Sequence, residues 1–418
     1  MAVSSPPLIC LITPGNVSTT PRLVKHADAL AEAGYRVHVV SGGSNAAFRP
    51  LDAEILARAA WTHTRADYRA GPLAPARKAL RAAARAAAPR LGTLPTAVAA
   101  RAHFAGSALM ARAAARIPAQ FYFGHGLAAL PVASAAAAAR GCGHGFDLED
   151  YHDAETVEAV SDPVEALIRR TLQFRLLPGC RILTCAAPLI GRKYEEEYGV
   201  SPAVVLNSFP VAQAPPVPLD PGPVTPARPA VFYWFSQTVG PDRGLETAVS
   251  ILGQMATPAE LHLRGAVSPG YAAALQARAT ASGLQRPLRF LPLGDPAEMV
   301  RMAAGADLGL SLELAQPLNR DLCLTNKVFV YLLAGIPQLL SATTAQSSLA
   351  GELGDAALSG HHSDPAETAR RLDEFFAQPE RVAAARRAAW SIARSRYCWD
   401  VEKSRVVEPM RALLPLGP

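Results

Sequence analysis

Between Phe209 and Pro229 the chain reads FPVAQAPPVPLDPGPVTPARP, and this segment limits what the rest can form. Proline has no amide hydrogen to donate and disfavours helix in the residue before it, so such density sustains neither helix nor central strand and marks a linker. A linker near the middle of 418 residues leaves two lengths of chain, each suited to one domain. Half the residues are hydrophobic, enough for two sizeable cores.

The first length alternates strand and helix. Leu8 to Thr13 reads as a buried strand, Pro21 to Ala33 as a helix stopped by Gly34, and Arg36 to Val40 as a second strand. That β-α-β unit opens a parallel doubly wound sheet, whose ligands bind beyond the carboxyl ends of its strands. The loop at that end, PGNVSTTPR, lacks the three-glycine dinucleotide fingerprint, which removes the main support for a dehydrogenase. It offers Asn16, and Arg22, either as an anion contact or as a structural arginine. Later strands are expected at Gln120 to Phe123, just before Gly145 to Glu155, at Arg181 to Cys185 and at Ala203 to Leu206, about six in all.

The second length repeats the scheme. Strands are expected at Val231 to Phe235, Glu260 to Leu263, Leu288 to Leu291, Leu308 to Leu312 and Gln338 to Leu340, with helices between them. Its most informative stretch is TNKVFVYLLAGIP, Thr325 to Pro337. Thr325 suits a helix N-cap, leaving first-turn amides free for an anion beside Lys327, and Gly335 suits a left-handed helix stop. Two such domains would turn their strand ends toward one cleft.

Charge and cysteine usage narrow the setting. A net charge of +6 is modest for this length and does not argue for nucleic acid. Between Asp67 and Asp147 there is no acidic residue, while Arg69, Arg77, Lys78, Arg81, Arg85, Arg90, Arg101, Arg112, Arg116 and Arg140 all occur. The alanine-rich helices expected from Pro75 to Arg116 would carry a basic face, either solvated or set on anionic lipid or an anionic acceptor. None of the six cysteines forms a close metal-binding or redox pair, which fits a reducing cytoplasm. Met1 to Pro7 has no positive leader region, and no apolar run reaches membrane-spanning length, so any membrane contact, at the inner membrane for instance, would be peripheral.

Seven segments in order carry a family resemblance: LITPGNVSTTPRLVKHADALAEAGYRV, FGHGLAALPVA, FDLEDYHDAE, VVLNSFP, GPDRGLETA, LHLRG and TNKVFVYLLAGIP. Together they resemble the GT-B glycosyltransferases, in particular the retaining, family-4-like bacterial group, across nearly the whole chain. The resemblance implies an α/β protein of two Rossmann-like doubly wound domains facing a cleft. Residues 1–208 would bind the acceptor and residues 230–395 the nucleotide-sugar donor, with 209–229 as linker and 396–418 as a C-terminal helix crossing back to the first domain. It implies a hexosyltransferase-type enzyme of bacterial glycan biosynthesis, with a saccharide, lipid-linked or small-molecule acceptor.

Sugar transfer leaves negative charge on the departing diphosphate, so a site needs fixed cations and amide donors there. Arg243 and Gly244, in GPDRGLE, match the family's cation-glycine pair, and Lys327 with Thr325 and Asn326 supplies the helix start. Ser236, Gln237 and Thr238, expected to follow a strand, and Arg264 are further donor contacts. His125 and Asp150 are the expected acceptor-side catalytic groups, Glu313 the donor-side one, and His152 and Asp153 join Asn16 and Arg22 as acceptor contacts. No metal or other cofactor is expected, since arginine and lysine serve the diphosphate. One departure stands out: many relatives carry two glutamates eight positions apart, and here those positions are Leu322 and Val330. Ribose recognition would then fall to Glu313, Asn319 or Asn326. The missing carboxylate also keeps open a catalytically silent GT-B-like binding protein, and, less favoured, a sugar-nucleotide epimerase.

Overall fold

Every residue of Leu8–Thr13 (β1) is apolar or a buried threonine, and a strand buried on both faces can only lie inside a parallel sheet covered by helices. The computed structural model describes residues 5–43, 45–360 and 363–417. Residues 1–4, part of the stretch read for a leader, lie outside the described residues.

Six further strands complete the first sheet: Arg36–Ser41 (β2), Thr62–Arg65 (β3), Phe121–His125 (β4), Gly143–Leu148 (β5), Ile182–Cys185 (β6) and Ala203–Val204 (β7). The order is β3-β2-β1-β4-β5-β6-β7 and all pairs are parallel. The order reverses at β1 and β4, so the carboxyl ends of these two strands, at Pro14 and His125, flank the crevice typical of such sheets.

The second sheet consists of Ala230–Val239 (β8), Ala259–Val267 (β9), Arg289–Leu291 (β10), Leu308–Ser311 (β11), Gln338–Ser341 (β12) and Ala357–Gly360 (β13). Its order is β10-β9-β8-β11-β12-β13, again parallel, with the reversal at β8 and β11. Strands β3 and β13 were absent from the sequence reading. Both are short edge strands whose residues, THTR and ALSG, carry no apolar alternation.

Helix Asn326–Ala334 packs on this sheet with the bounds expected of it. Gly335 ends it at φ 70°, a left-handed conformation that favours glycine. From Lys327 to Ala334 every residue is buried, because Gly309 lets the Tyr331 ring lie directly on β11; a Cβ there would fall 2.3 Å from that ring. The Tyr331 hydroxyl bridges the carbonyls of Tyr233 and Leu310, at 3.2 and 3.1 Å, tying the helix to both strands of the reversal.

The chain divides into two compact units, one holding residues up to Val205, 317–319 and Lys403–Pro418, the other Leu206–Gln316 and Arg320–Glu402. The residues from Lys403 onward belong to the first unit. Lys403 pairs with Glu32 at 3.0 Å, and the Tyr35 hydroxyl bonds the Leu414 carbonyl at 2.8 Å past helix Ser404–Leu413. The proline segment is held on the second unit. Its carbonyls have no regular partners, so side chains take them: Trp390 Nε1 bonds Pro215 O at 3.0 Å and Arg386 Nη1 bonds Leu219 O at 3.1 Å. Among the described residues no helix is long and apolar enough to cross a membrane.

Candidate functional site

At the carboxyl end of β11 the chain turns through Glu313, which is 7% exposed and accepts a 2.6 Å bond from Lys327 Nζ. Lys327 is itself only 6% exposed and lies 5.7 Å from the centre of the Trp234 ring. Burial alone would raise the Glu313 pKa, but Lys327, then Arg320 and Arg243, hold it below its ordinary value. Glu313 is therefore a carboxylate inside a group of three cations. Lys327 is not the free charge the sequence suggested, since its bond to Glu313 offsets the cost of burying both.

Arg243 is the more accessible cation, half-buried in the turn before helix Leu245–Leu252. Gly244 permits this turn: its φ is 73°, and a Cβ there would meet the Leu312 carbonyl at 1.9 Å. The close approach sets the Arg243 loop against the end of β11. Arg320, which the sequence reading missed, is anchored to the same loop by a 2.6 Å bond to the Asp242 carbonyl. It lies on helix Leu318–Leu322, too short for any periodicity to reveal.

Thr325 takes the N-cap position of helix Asn326–Ala334 in extended conformation, but its side chain makes no capping bond. Its hydroxyl instead lies 3.4 Å from that of Ser311. Asn326 is half-buried at the first helical position, and its side chain has no hydrogen bond among the described residues. A helix start without a side-chain cap, beside half-exposed Arg243, is chemically suited to an anion.

The other expected donor contacts are placed differently. Ser236, Gln237 and Thr238 do not follow a strand but lie within β8, which continues past a register shift because the long β9 still pairs with it at Ala266 and Val267. Gln237 and Thr238 are exposed there. Arg264 is taken up by the Tyr233 hydroxyl at 2.8 Å and the Pro292 carbonyl at 2.9 Å, a structural brace rather than a free contact. Val330, where the resemblance would place a glutamate, is fully buried. Asn319 is also engaged, donating to Asp150 Oδ1 at 2.7 Å and accepting from the Tyr151 amide at 2.8 Å within the first unit.

In the first unit the expected acceptor residues form mostly a buried scaffold. Arg22 and Asp147 are fully buried and joined in a fork, Nε to Oδ2 at 2.5 Å and Nη2 to Oδ1 at 2.8 Å. Arg22 Nη1 donates to the Val205 carbonyl at 2.6 Å, and the Thr184 hydroxyl bonds Asp147 at 2.5 Å. Arg22 is thus a structural arginine, with each of its three nitrogens bonded to the protein. His125 lies fully buried at the end of β4, its Nδ1 3.3 Å from Asp147 Oδ2, and burial holds it in the neutral form. Neither ring nitrogen of His125 makes a hydrogen bond among the described residues. Asn16 is equally committed, bonded to Asp52 at 2.7 Å and to the Asn45 backbone in both directions. Asp52 in turn holds the Ser18 amide and hydroxyl, a role the sequence reading did not find.

Beyond β5 the picture is mixed. His152 is buried and its Nδ1 lies 2.9 Å from Glu155; burial opposes its charge, but this contact raises its pKa overall. Asp153 accepts bonds from Gln173, at 2.7 Å, and from the Tyr198 hydroxyl, so it knits helices together. Asp150 is half-buried, with its pKa raised by burial and by Glu155. Glu149 has no hydrogen bond among the described residues and is half-buried. Burial, then the charge of Asp147, pushes its pKa up to about 7, which suits proton exchange near neutrality. Its place directly after a strand in an acid-rich segment was the available sequence signal.

No protein-family model matches the chain, and no curated protein matches it. Solved structures do. HepE of Anabaena in complex with UDP and glucose matches with a TM-score of 0.69 at 15% identity, covering 97% of this chain and 100% of its own. Sucrose-phosphate synthase of Thermosynechococcus elongatus gives 0.71 at 12% identity, over 98% and 100%. WaaG, a glycosyltransferase involved in lipopolysaccharide biosynthesis, gives 0.60 at 12%, over 98% and 100%. At these identities the likeness is one of architecture: two Rossmann-like domains, the GT-B fold, through nearly the whole length of the chain.

Proposed function

We propose that this protein is a glycosyltransferase that takes a sugar from a nucleotide-sugar donor and passes it to a saccharide, lipid-linked or small-molecule acceptor, with retention of configuration, in bacterial glycan biosynthesis. The observation that carries the reading is the cationic group at the sheet reversal of the second unit. Arg243 and Arg320 stand on one loop system beside the Lys327–Glu313 pair, next to a helix start whose N-cap side chain makes no bond. A diphosphate there would meet a cation, backbone amides and the positive end of the helix, the groups needed as negative charge develops on the leaving oxygen. HepE, of the same fold, binds UDP and glucose, which supports a donor of this class.

In this reading Arg243 contacts the diphosphate directly, and Arg320 and Lys327 supply field from fixed positions. Asn326, Gln237 and Thr238 are the polar groups open to the rest of the nucleotide. The scheme calls for no metal, since the cations neutralise the leaving group. On the first unit Glu149 is the carboxyl group left open to an acceptor hydroxyl, and Asp150 offers the oxygen that Asn319 does not hold. The test is titration calorimetry and hydrolysis with a panel of sugar nucleotides. Binding by the parent chain, weakened at least about tenfold in Arg243→Ala with an unchanged melting temperature, is expected from loss of one charge-assisted contact. Absence of binding to every nucleotide would overturn it.

Val330 favours a second reading, a binding protein of the same fold without catalysis. It predicts nucleotide-sugar binding with no hydrolysis and no transfer to any acceptor.

A further inference from the structure

Asp242 has a φ of 59°, the only positive value at a residue other than glycine among the described residues. Its Cβ makes this left-handed conformation costly, though less so for aspartate than for most side chains, so the loop must be held in it. The loop is GPDRG, between β8 and helix Leu245–Leu252. Gly244 repeats the positive sign at 73°, and Arg243 between them does not share it. Such alternation turns successive backbone N–H groups to one side and forms a concave seat for an anion. The amides of Asp242, Arg243 and Gly244 make no hydrogen bond among the described residues, so they are left to a ligand or to solvent.

Two contacts fix the ends of this loop. The Ser268 amide donates to the Val239 carbonyl at 2.9 Å, and Gly244 packs so closely on the Leu312 carbonyl that a Cβ would fall 1.9 Å from it. With its ends fixed, the loop can return Asp242 to a negative φ only by turning its peptide planes. Arg320 opposes that turn, since its Nη1 donates to the Asp242 carbonyl at 2.6 Å. A trans peptide points its C=O and the following N–H in opposite directions, so the same bond aims the Arg243 amide away from Arg320. Arg320 is fixed in its turn. The adjacent Asp321 accepts from the Thr344 amide at 2.9 Å and from the Thr344 hydroxyl at 2.6 Å, at the start of helix Thr344–Leu353. Asp242, Arg320 and Thr344 all belong to the second unit.

We propose that Arg320 is a positioning residue: through the Asp242 carbonyl it keeps this loop in the form that turns its amides to one side, and the group seated there is a diphosphate. The choice of diphosphate rests on the sugar-transfer reading, in which Arg243 meets the same group. Arg320 also adds charge, because Glu313 is held below its ordinary pKa first by Lys327 and then by Arg320 and Arg243. The two roles separate in one respect. A charge acts whatever residue stands at position 242, whereas a hold on the loop matters only where that residue resists the left-handed form. Glycine does not resist it.

The experiment is calorimetric titration of the full chain with inorganic pyrophosphate and, separately, with UDP-glucose. The proteins are the parent, Arg320→Met, Asp242→Gly and the double variant. Arg320→Met should weaken pyrophosphate binding about tenfold where aspartate stands at 242, because the loop then spends most of its time in other forms. Where glycine stands there, the same change should cost less than about threefold, the share left to the lost charge. Asp242 is exposed and Arg320 half-buried, so the variants keep their fold, and a thermal scan of each checks it. An equal loss in the two backgrounds would mean that Arg320 acts by charge alone and would overturn the proposal. Failure of the parent to bind pyrophosphate would overturn it as well. Pyrophosphate binding with the expected coupling, but no binding of UDP-glucose, would uphold the positioning role and count against the nucleotide-sugar reading instead.

Discussion

Replacing Glu149 with glutamine should stabilise the protein, and only on the alkaline side of neutrality. Glu149 is half-buried after β5, and burial together with Asp147 and Asp150 pushes its pKa from an ordinary 4.5 up to about 7. Arg22 opposes the shift, but its fork is already spent on Asp147. A carboxyl that ionises more readily in the unfolded chain than in the folded one lowers stability as pH rises between those two values. Below about pH 4.5 both forms are neutral and the cost is absent; above about pH 7 it is complete, at about 3 kcal/mol. Near pH 5 less than about 1 kcal/mol has accrued. Glutamine keeps the shape and removes the charge. Urea unfolding followed by tryptophan fluorescence should therefore show Glu149→Gln ahead of the parent by up to about 3 kcal/mol near pH 8 and nearly level with it near pH 5. An equal gain at both values, or a loss near pH 8, would refute the assignment of this carboxyl as a strained ion.

Placing a glutamate at position 330 by Val330→Glu should cost several kcal/mol, on the order of burying an unpaired ion, since Val330 is fully buried. A thermal scan should show a lower melting temperature; an unchanged one with tighter sugar-nucleotide binding would mean that the position can open to the ligand. Arg22→Met should destabilise by about 3–5 kcal/mol by leaving Asp147 charged and enclosed, and Asp147→Asn in the same background should recover part of it; denaturant midpoints of the single and double variants measure both. Lys327→Ala should lower stability by a similar order because Glu313 then lacks its 2.6 Å partner, whereas Arg243→Ala should not. Equal effects of the two changes would remove the distinction between a buried pair and an open contact.

Much of the architecture was legible because it depends on local patterning. Helix Asn326–Ala334 was bounded by a threonine, a glycine and a proline that each have one strong local use, and β1 by an unbroken apolar run. The site was less legible because residue type does not disclose the partner. Arg22 reads from sequence either as an anion contact or as a structural arginine, and only Asp147, far along the chain, decides between them; Asn16 reads as a ligand contact, and Asp52 occupies it. Ser236, Gln237 and Thr238 looked like a loop because their sequence lacks apolar residues, yet pairing with the long β9 keeps them in the sheet. Arg320 escaped notice because a one-turn helix leaves no period to read.

The distribution of committed and uncommitted charge says which side chains can bind a ligand cheaply. Taking Arg22 away from Asp147, or Lys327 away from Glu313, leaves a buried carboxylate without its ion-pair partner, at about 3–5 kcal/mol. Any ligand using those cations must return that much before it gains affinity. Arg243 is half-buried and makes no ion pair among the described residues, and Asn326 makes no side-chain bond, so recruiting either costs only side-chain order, about 1–2 kcal/mol. The buried pairs are therefore better understood as the frame that fixes the ends of β5 and β11. Discrimination among ligands falls to the few polar groups that the frame leaves open.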